Sequence, residues 1–142
     1  MGLAEEDVNR RLLRARDLMD RRYADPLDVP RLAQVAVMAP SHFIREFKRV
    51  FGETPHRYLQ RRRIERAMSL LRITSEPVTE VCLAVGFTSL GTFSRVFREV
   101  VGLSPTAYRE HAAPVPLPAP TAFTMRWSRP VNFGEAPTVR RP

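Results

Sequence analysis

A chain of 142 residues with 44% hydrophobic residues and a formal net charge of +8 has material for one domain, or two very small ones sharing an element, beneath a basic surface. Its single cysteine, Cys82, excludes an intramolecular disulfide framework, and no apolar run approaches the roughly 20 residues that cross a bilayer. The opening MGLAEEDVNR is acidic and lacks the apolar centre of a secretory signal, so a soluble protein of the reducing cytoplasm with no membrane partner is expected.

From Glu5 to Arg22, Val8, Leu12, Ala15, Met19 and then Tyr23 recur at helical spacing opposite an almost wholly charged face. Asp25-Pro26 reads as a turn and Asp28 as an N-cap, with Pro30 in the first turn of a short helix that carries Leu32, Ala33 and Ala36 and ends near Val37. A third helix opens at Pro40 and stops near Phe51, where Gly52 supplies a left-handed end. Thr54-Pro55 is an N-cap and first residue for a long helix to about Arg72, with Leu59, Ile64, Ala67 and Leu71 on its buried side. Its remaining face is basic, through Arg57, Arg61, Arg62, Arg66 and Arg72 around Glu65. Pro77 opens a short helix through Val85, Gly86 turns, Thr88 caps a helix to Val101, and Ser104-Pro105 begins a last helix ending near His111. The fold class is therefore all-α, with about seven helices and no convincing strand before Ala113. Residues 114–142 hold seven of the thirteen prolines and read as a linker or disordered tail, punctuated by Phe123, Trp127 and Phe133.

Two of these stretches repeat each other fifty residues apart. Phe43, Arg45, Phe47, Gly52, Pro55 and Tyr58 recur as Phe93, Arg95, Phe97, Gly102, Pro105 and Tyr108, with Lys48 answered by Arg98 and Thr54 by Ser104. Each copy is a short helix, a tight turn and a second helix, the helix-turn-helix arrangement. On the first copy's second helix, Phe43, Phe47, Val50 and Phe51 point inward, while Ser41, Arg45 and Lys48 point out, flanked by Ile44 and Arg49. On the second, Phe93, Phe97, Val100 and Val101 point in; Gly91, Arg95 and Arg98 point out, with Thr92 and Ser94 beside them. A small residue near a helix start lets the backbone approach a major groove, and a guanidinium further along can bridge guanine O6 and N7. Two like surfaces on one chain suit a partner that itself repeats, and double-stranded DNA is such a partner. The basic residues are 22 Arg against the one Lys48, a bias that suits phosphate and guanine recognition and that GC-rich codons also produce.

The second copy, GFTSLGTFSRVFREVVGLSPTAYRE, resembles the signature of the AraC/XylS family of transcriptional regulators, and MAPSHFIREFKRVFGETPHRYLQRRRIERAMSLL resembles its partner half. The resemblance runs from about Ala15 to Glu110. It implies two helix-turn-helix subdomains, about 5–54 and 77–111, bridged by a connecting helix of about 55–73, with recognition helices at 40–51 and 88–101 in consecutive major grooves. By position in the pattern, base contacts fall to Ser41, Ile44 and Arg45 in the first half and to Leu90, Gly91, Thr92, Ser94 and Arg95 in the second. Ala39 stands where a capping serine is usual, a loss of about 1 kcal/mol if uncompensated. Ile44 and Leu90 can meet a thymine methyl but cannot hydrogen-bond a base, and either is equally a boundary residue packing on neighbouring helices. With no ligand-binding barrel before this region, the chain resembles the small stand-alone members, which bind asymmetric sites as monomers.

Backbone contacts are expected from Lys48, Arg49 and Arg98, and from Thr54 and Thr88 with the helix starts they cap. Arg61 and Arg62 could join them, although much of that face is expected to be solvated or paired with Glu65. His42 is a bystander or a phosphate contact. Three scattered histidines and one cysteine make no metal site, and with no phosphate loop, acid–base pair or nucleophile motif neither catalysis nor a cofactor is expected. The leading function is sequence-specific transcription regulation, more often activation in such a family, with RNA polymerase a possible protein partner. The alternative is a basic helical adaptor docking through the tail aromatics.

Overall fold

Apolar residues spaced by three and four become buried helical faces throughout the computed structural model, which describes residues 2–111. The described residues form seven helices and no strand: α1 (Leu3–Arg21), α2 (Val29–Val35), α3 (Pro40–Phe51), α4 (Pro55–Ile73), α5 (Val78–Ala84), α6 (Leu90–Val101) and α7 (Pro105–His111). The Pro-rich segment 114–142, with its three aromatic residues, lies outside the described residues.

Two cores form on one shared rod. In the first, Leu12, Ala15 and Met19 of α1 meet Leu32 and Ala33 of α2, Phe43 and Phe47 of α3, and Tyr58 and Leu59 from the start of α4. In the second, Ile64, Ala67 and Leu71 from the rest of α4 meet Val81 and Cys82 of α5 and Phe93, Val96 and Phe97 of α6. The buried faces expected of α1 and α4 are present. Val96 is a core residue that the wheel of the second recognition helix left out, whereas Val50, Phe51, Val100 and Val101 are only half-buried. Cys82 is buried as a small hydrophobe beside Val81, but Leu83 on its other side faces out.

The repeat in sequence is a repeat in geometry. Phe43 and Phe47 lie 5.6 Å apart and Phe47 and Tyr58 5.7 Å; Phe93 and Phe97 lie 5.7 Å apart and Phe97 and Tyr108 5.6 Å. Tilted and edge-on rings at these separations gain beyond their buried area. Thr54 Oγ1 accepts from the Arg57 N–H at 3.2 Å, and Ser104 Oγ accepts from the Ala107 N–H at 3.1 Å, so α4 and α7 start alike on a capped, buried proline.

The two inner turns also match. In the first, the Met38 N–H donates to Ala33 O and the Val37 N–H to Gln34 O; in the second, Phe87 donates to Cys82 O and Gly86 to Leu83 O. This pair of bonds closes a helix on a left-handed residue, at φ +55 for Val37 and φ +102 for Gly86. The turns are 49 residues apart while the helices after them are 50 apart, so the second linker is one residue longer. Sequence reading placed the start of the second recognition helix at a capping Thr88, and the structure corrects this. Ser89 is the N-cap, its hydroxyl accepting from the Thr92 N–H at 3.2 Å, and the helix begins at Leu90. Ser89 answers Ala39, which makes no side-chain cap bond and is followed directly by the proline that starts α3.

A left-handed valine is the one strained backbone position of the pair of turns. Handedness costs an L-residue about 1–2 kcal/mol, and glycine returns about 0.4–1 kcal/mol of that through the freedom of the unfolded chain. Val37 is 66% exposed, so Val37→Gly gives up little packing, and the Arg11 guanidinium bond to Val37 O at 2.8 Å is to backbone and survives. Val37→Gly is therefore expected to stabilise by about 0.5–1 kcal/mol, raising the thermal midpoint by a few degrees. A midpoint that stays or falls would show that the valine is not strained.

Candidate nucleic-acid interface

The outward faces of α3 and α6 are built by their inward faces. With Phe43 and Phe47 fully buried, helical geometry sends Ser41, Ile44, Arg45, Lys48 and Arg49 outward, and all five are exposed. With Phe93, Val96 and Phe97 buried, Leu90, Gly91, Arg95 and Arg98 are exposed, and Thr92 and Ser94 are half-buried at the edge. Thr88 is exposed in the linker before the cap, and His42 is half-buried on the first turn of α3. Ile44 at 37% and Leu90 at 45% exposure present apolar surface beside the arginines.

Gly91 has no local reason to be glycine. A Cβ there would meet only Ser89 Oγ, at 3.8 Å, within ordinary contact distance. Glycine in a helix costs up to about 1 kcal/mol against alanine. What its missing side chain provides is clear space on the outer face.

The two faces differ in charge. Among the described residues Arg45, Lys48 and Arg98 make no hydrogen bond or ion pair, leaving three unpaired cations on the outer faces. Arg49 is shared by Glu46 at 2.9 Å and Glu5 at 4.0 Å, and its hydrogen bond to Glu46 holds that carboxyl below the ordinary carboxylate range. Arg95 is tied one turn along to Glu99 at 3.1 Å, and Arg57 at the start of α4 approaches the same carboxylate at 3.7 Å. The residue fifty before Glu99 is Arg49, so the second head carries an anion where the first carries a cation.

The connecting helix spends its arginines inside the chain. Arg61 bridges Glu53 at 2.6 Å and Glu65 at 2.7 Å, and Arg62, 11% exposed at its side chain, bridges Asp20 at 3.1 Å and Glu65 at 2.7 Å. Asp20 also accepts from the Tyr58 hydroxyl at 2.8 Å; burial, then that carboxylate, push the Tyr58 hydroxyl pKa up. Arg66 lies over the Tyr23 ring at 5.3 Å. The expected pairing with Glu65 is present, and Glu53 and Asp20, the latter 42 residues away from Arg62, are further partners. Thr54 is half-buried with its hydroxyl committed to the cap, which leaves its helix start, not its side chain, to face an anion.

Arg63 was overlooked altogether. It lies four residues from both Leu59 and Ala67, inside the apolar stripe of α4, and an arginine on that stripe was the available signal. No helix among the described residues is long and apolar enough to cross a membrane, and they hold no group of His, Cys, Asp and Glu side chains arranged for a metal ion.

Comparison with known proteins agrees with this geometry. A family described as a helix-turn-helix domain matches residues 32–111. A probable transcriptional regulator, LumQ of Photobacterium leiognathi, is 39% identical over 83 residues, which are 58% of this chain and 34% of that protein. The chain spans about a third or less of the length of the curated relatives it matches. The C-terminal domain of AraT, a response regulator from Geobacillus stearothermophilus, aligns with a TM-score of 0.70 at 26% identity over 74% of this chain and 88% of that one. The DNA-binding domain of the global transcriptional factor AdpA, solved with a target DNA, aligns with a TM-score of 0.67 at 31% identity over 70% of this chain and 89% of that one. The matched proteins are transcription regulators rather than an enzyme class. With two matched helix-turn-helix units on one connecting helix and these likenesses along most of the described residues, the chain belongs to the AraC-type helix-turn-helix family of transcriptional regulators.

Proposed function

We propose that this chain is a sequence-specific regulator of transcription that binds double-stranded DNA as a monomer, laying α3 and α6 into consecutive major grooves on one face of the duplex. The observation that carries the reading is the doubling itself: two helices with matching aromatic cores and matching turns, both fixed to α4, present Arg45 and Arg95 at equivalent outward positions. One chain holding two reading heads needs no second copy to span two grooves. Base edges fall to Ser41, Ile44 and Arg45 in the first half and to Leu90, Gly91, Thr92, Ser94 and Arg95 in the second. Phosphates fall to Lys48, Arg49 and Arg98, to His42 and Thr88 beside them, and to the helix start at Thr54. Arg61 and Arg62 serve this role less well, because their guanidiniums already hold carboxylates.

Residues 1–113 act as the bipartite DNA-binding unit and 114–142 as a separate segment. The regulator works in the cytoplasm as an activator, following its family resemblance, and RNA polymerase is the protein such an activator meets at a promoter. Selection of bound fragments from a random duplex pool tests the reading. It is expected to return a site with two unlike halves whose centres lie about 10–10.5 base pairs apart. A palindrome, or a single contiguous motif of a few base pairs, would contradict it.

A further inference from the structure

Apolar contacts seat each unit on α4, yet the hydrophobic effect is non-directional and sets no angle by itself. Apart from the exposed pair of Arg57 with Glu99 at 3.7 Å, the loop of the first unit and the turn of the second meet around one side chain, hydrogen-bonded to the first and packed against the second. Arg63 leaves α4 between Leu59, the last residue of the first core, and Ile64, the first of the second. Its Nε donates to Tyr23 O at 2.6 Å and its Nη2 to Asp25 O at 2.7 Å, gripping the connection between α1 and α2 in the first unit. On the other side it lies against the turn of the second unit. A Cβ at Gly86 would stand 2.9 Å from Arg63 Nε and 3.0 Å from both Cα and O of Ala24, and the guanidinium lies 6.0 Å from the Phe87 ring centroid. Glycine is needed at Gly86 for this approach as well as for its left-handed φ of +102. Tyr23, whose carbonyl Arg63 holds, packs its ring on both cores.

We propose that Arg63 is the positioning residue that sets the angle and separation between the two recognition helices, and so decides which spacing between half-sites the protein accepts. The inference rests on the bipartite reading of DNA given above. Stability alone does not account for a guanidinium here. Desolvation weighs against its charge, as the downward push on its pKa reflects, and a methionine or leucine on the same stripe would bury apolar surface without that cost. Two hydrogen bonds to fixed carbonyls supply what an apolar side chain lacks, a defined geometry.

The test measures affinity of the full chain for its selected duplex and for versions with one base pair inserted into or removed from the spacer. Each such change rotates one half-site by about 35° relative to the other. The wild type is expected to lose about tenfold or more in affinity, while Arg63→Met loses about threefold or less from its own, weaker, best value. Single-base discrimination within each half-site should stay as in the wild type, because each head remains intact; a general loss of structure would lower it in proportion. Should Arg63→Met not fold, Arg63→Lys, which keeps the charge and loses the fork, is expected to give an intermediate spacing penalty. A variant as selective for spacing as a selective wild type overturns the role of Arg63 alone. A wild type indifferent to spacing overturns the bipartite reading and this inference with it.

Discussion

Truncating Phe97 to alanine is expected to lower the free energy of unfolding by about 3–5 kcal/mol, and Phe47→Ala by a similar amount. Both side chains have no solvent exposure, and each sits in the middle of its aromatic ladder, 5.6–5.7 Å from a phenylalanine on one side and a tyrosine on the other. The loss combines transfer of a ring to water with a cavity that two flanking rings, anchored on different helices, cannot both collapse into. Against a typical total of about 5–15 kcal/mol, either change removes a large share of the stability. The thermal midpoint should fall by at least about 12 °C. Because α4 carries both cores and Tyr23 packs on each, the domain should still melt in one transition, monitored by circular dichroism. A loss under about 1 kcal/mol would place these rings outside the core. A second transition, with one unit outlasting the other, would mean that the units fold separately.

The second large effect is on recognition. A bidentate arginine–guanine contact discriminates by about 1–3 kcal/mol, so Arg45→Ala should relax preference at one position of the first half-site by about tenfold or more. Non-specific affinity should change little. Lys48→Ala and Arg98→Ala should instead weaken every duplex alike and lower the salt slope by about 0.9 each. Arg95→Ala is expected to be mixed. Its guanidinium must leave Glu99 to reach a base, which subtracts the modest strength of an exposed pair, and its removal leaves Glu99 with only the longer contact to Arg57 near phosphates. Adding Glu99→Gln to Arg95→Ala should restore the general affinity and leave the lost discrimination unrestored. Competition binding against single-base variants at two salt concentrations separates these behaviours. Equal and sequence-independent losses from Arg45 and Lys48 would refute the assignment of base contacts.

What could be read from the sequence follows from what is local or repeated. The aromatic spacing of the two copies, the stripe Leu12–Ala15–Met19 and the Thr54-Pro55 start are regular patterns along one helix, and each has its counterpart in the structure. Val37 was not legible, because a left-handed valine has no sequence signature and is imposed by the turn that its unit must make. Thr88 reads as the cap because it is a capping residue close to the right place. Applying the fifty-residue offset to Ala39 points to Ser89 instead. The partners of Arg61 and Arg62 depend on how α1 and the turn before α4 fold back, which no helical wheel of α4 contains. The outward positions of the recognition helices were legible through their buried neighbours. The imbalance between the heads was visible as Arg49 against Glu99, but its meaning required the pairing of Glu99 with Arg95 and Arg57.

The most direct measurement is hydroxyl-radical footprinting of the full chain on its selected duplex, with the number of chains bound determined in parallel. One chain per duplex should protect two patches on the same side of the double helix, about one turn apart. A single protected tract under one chain, or two patches that appear only when two chains are bound, would contradict the claim that one molecule reads both grooves.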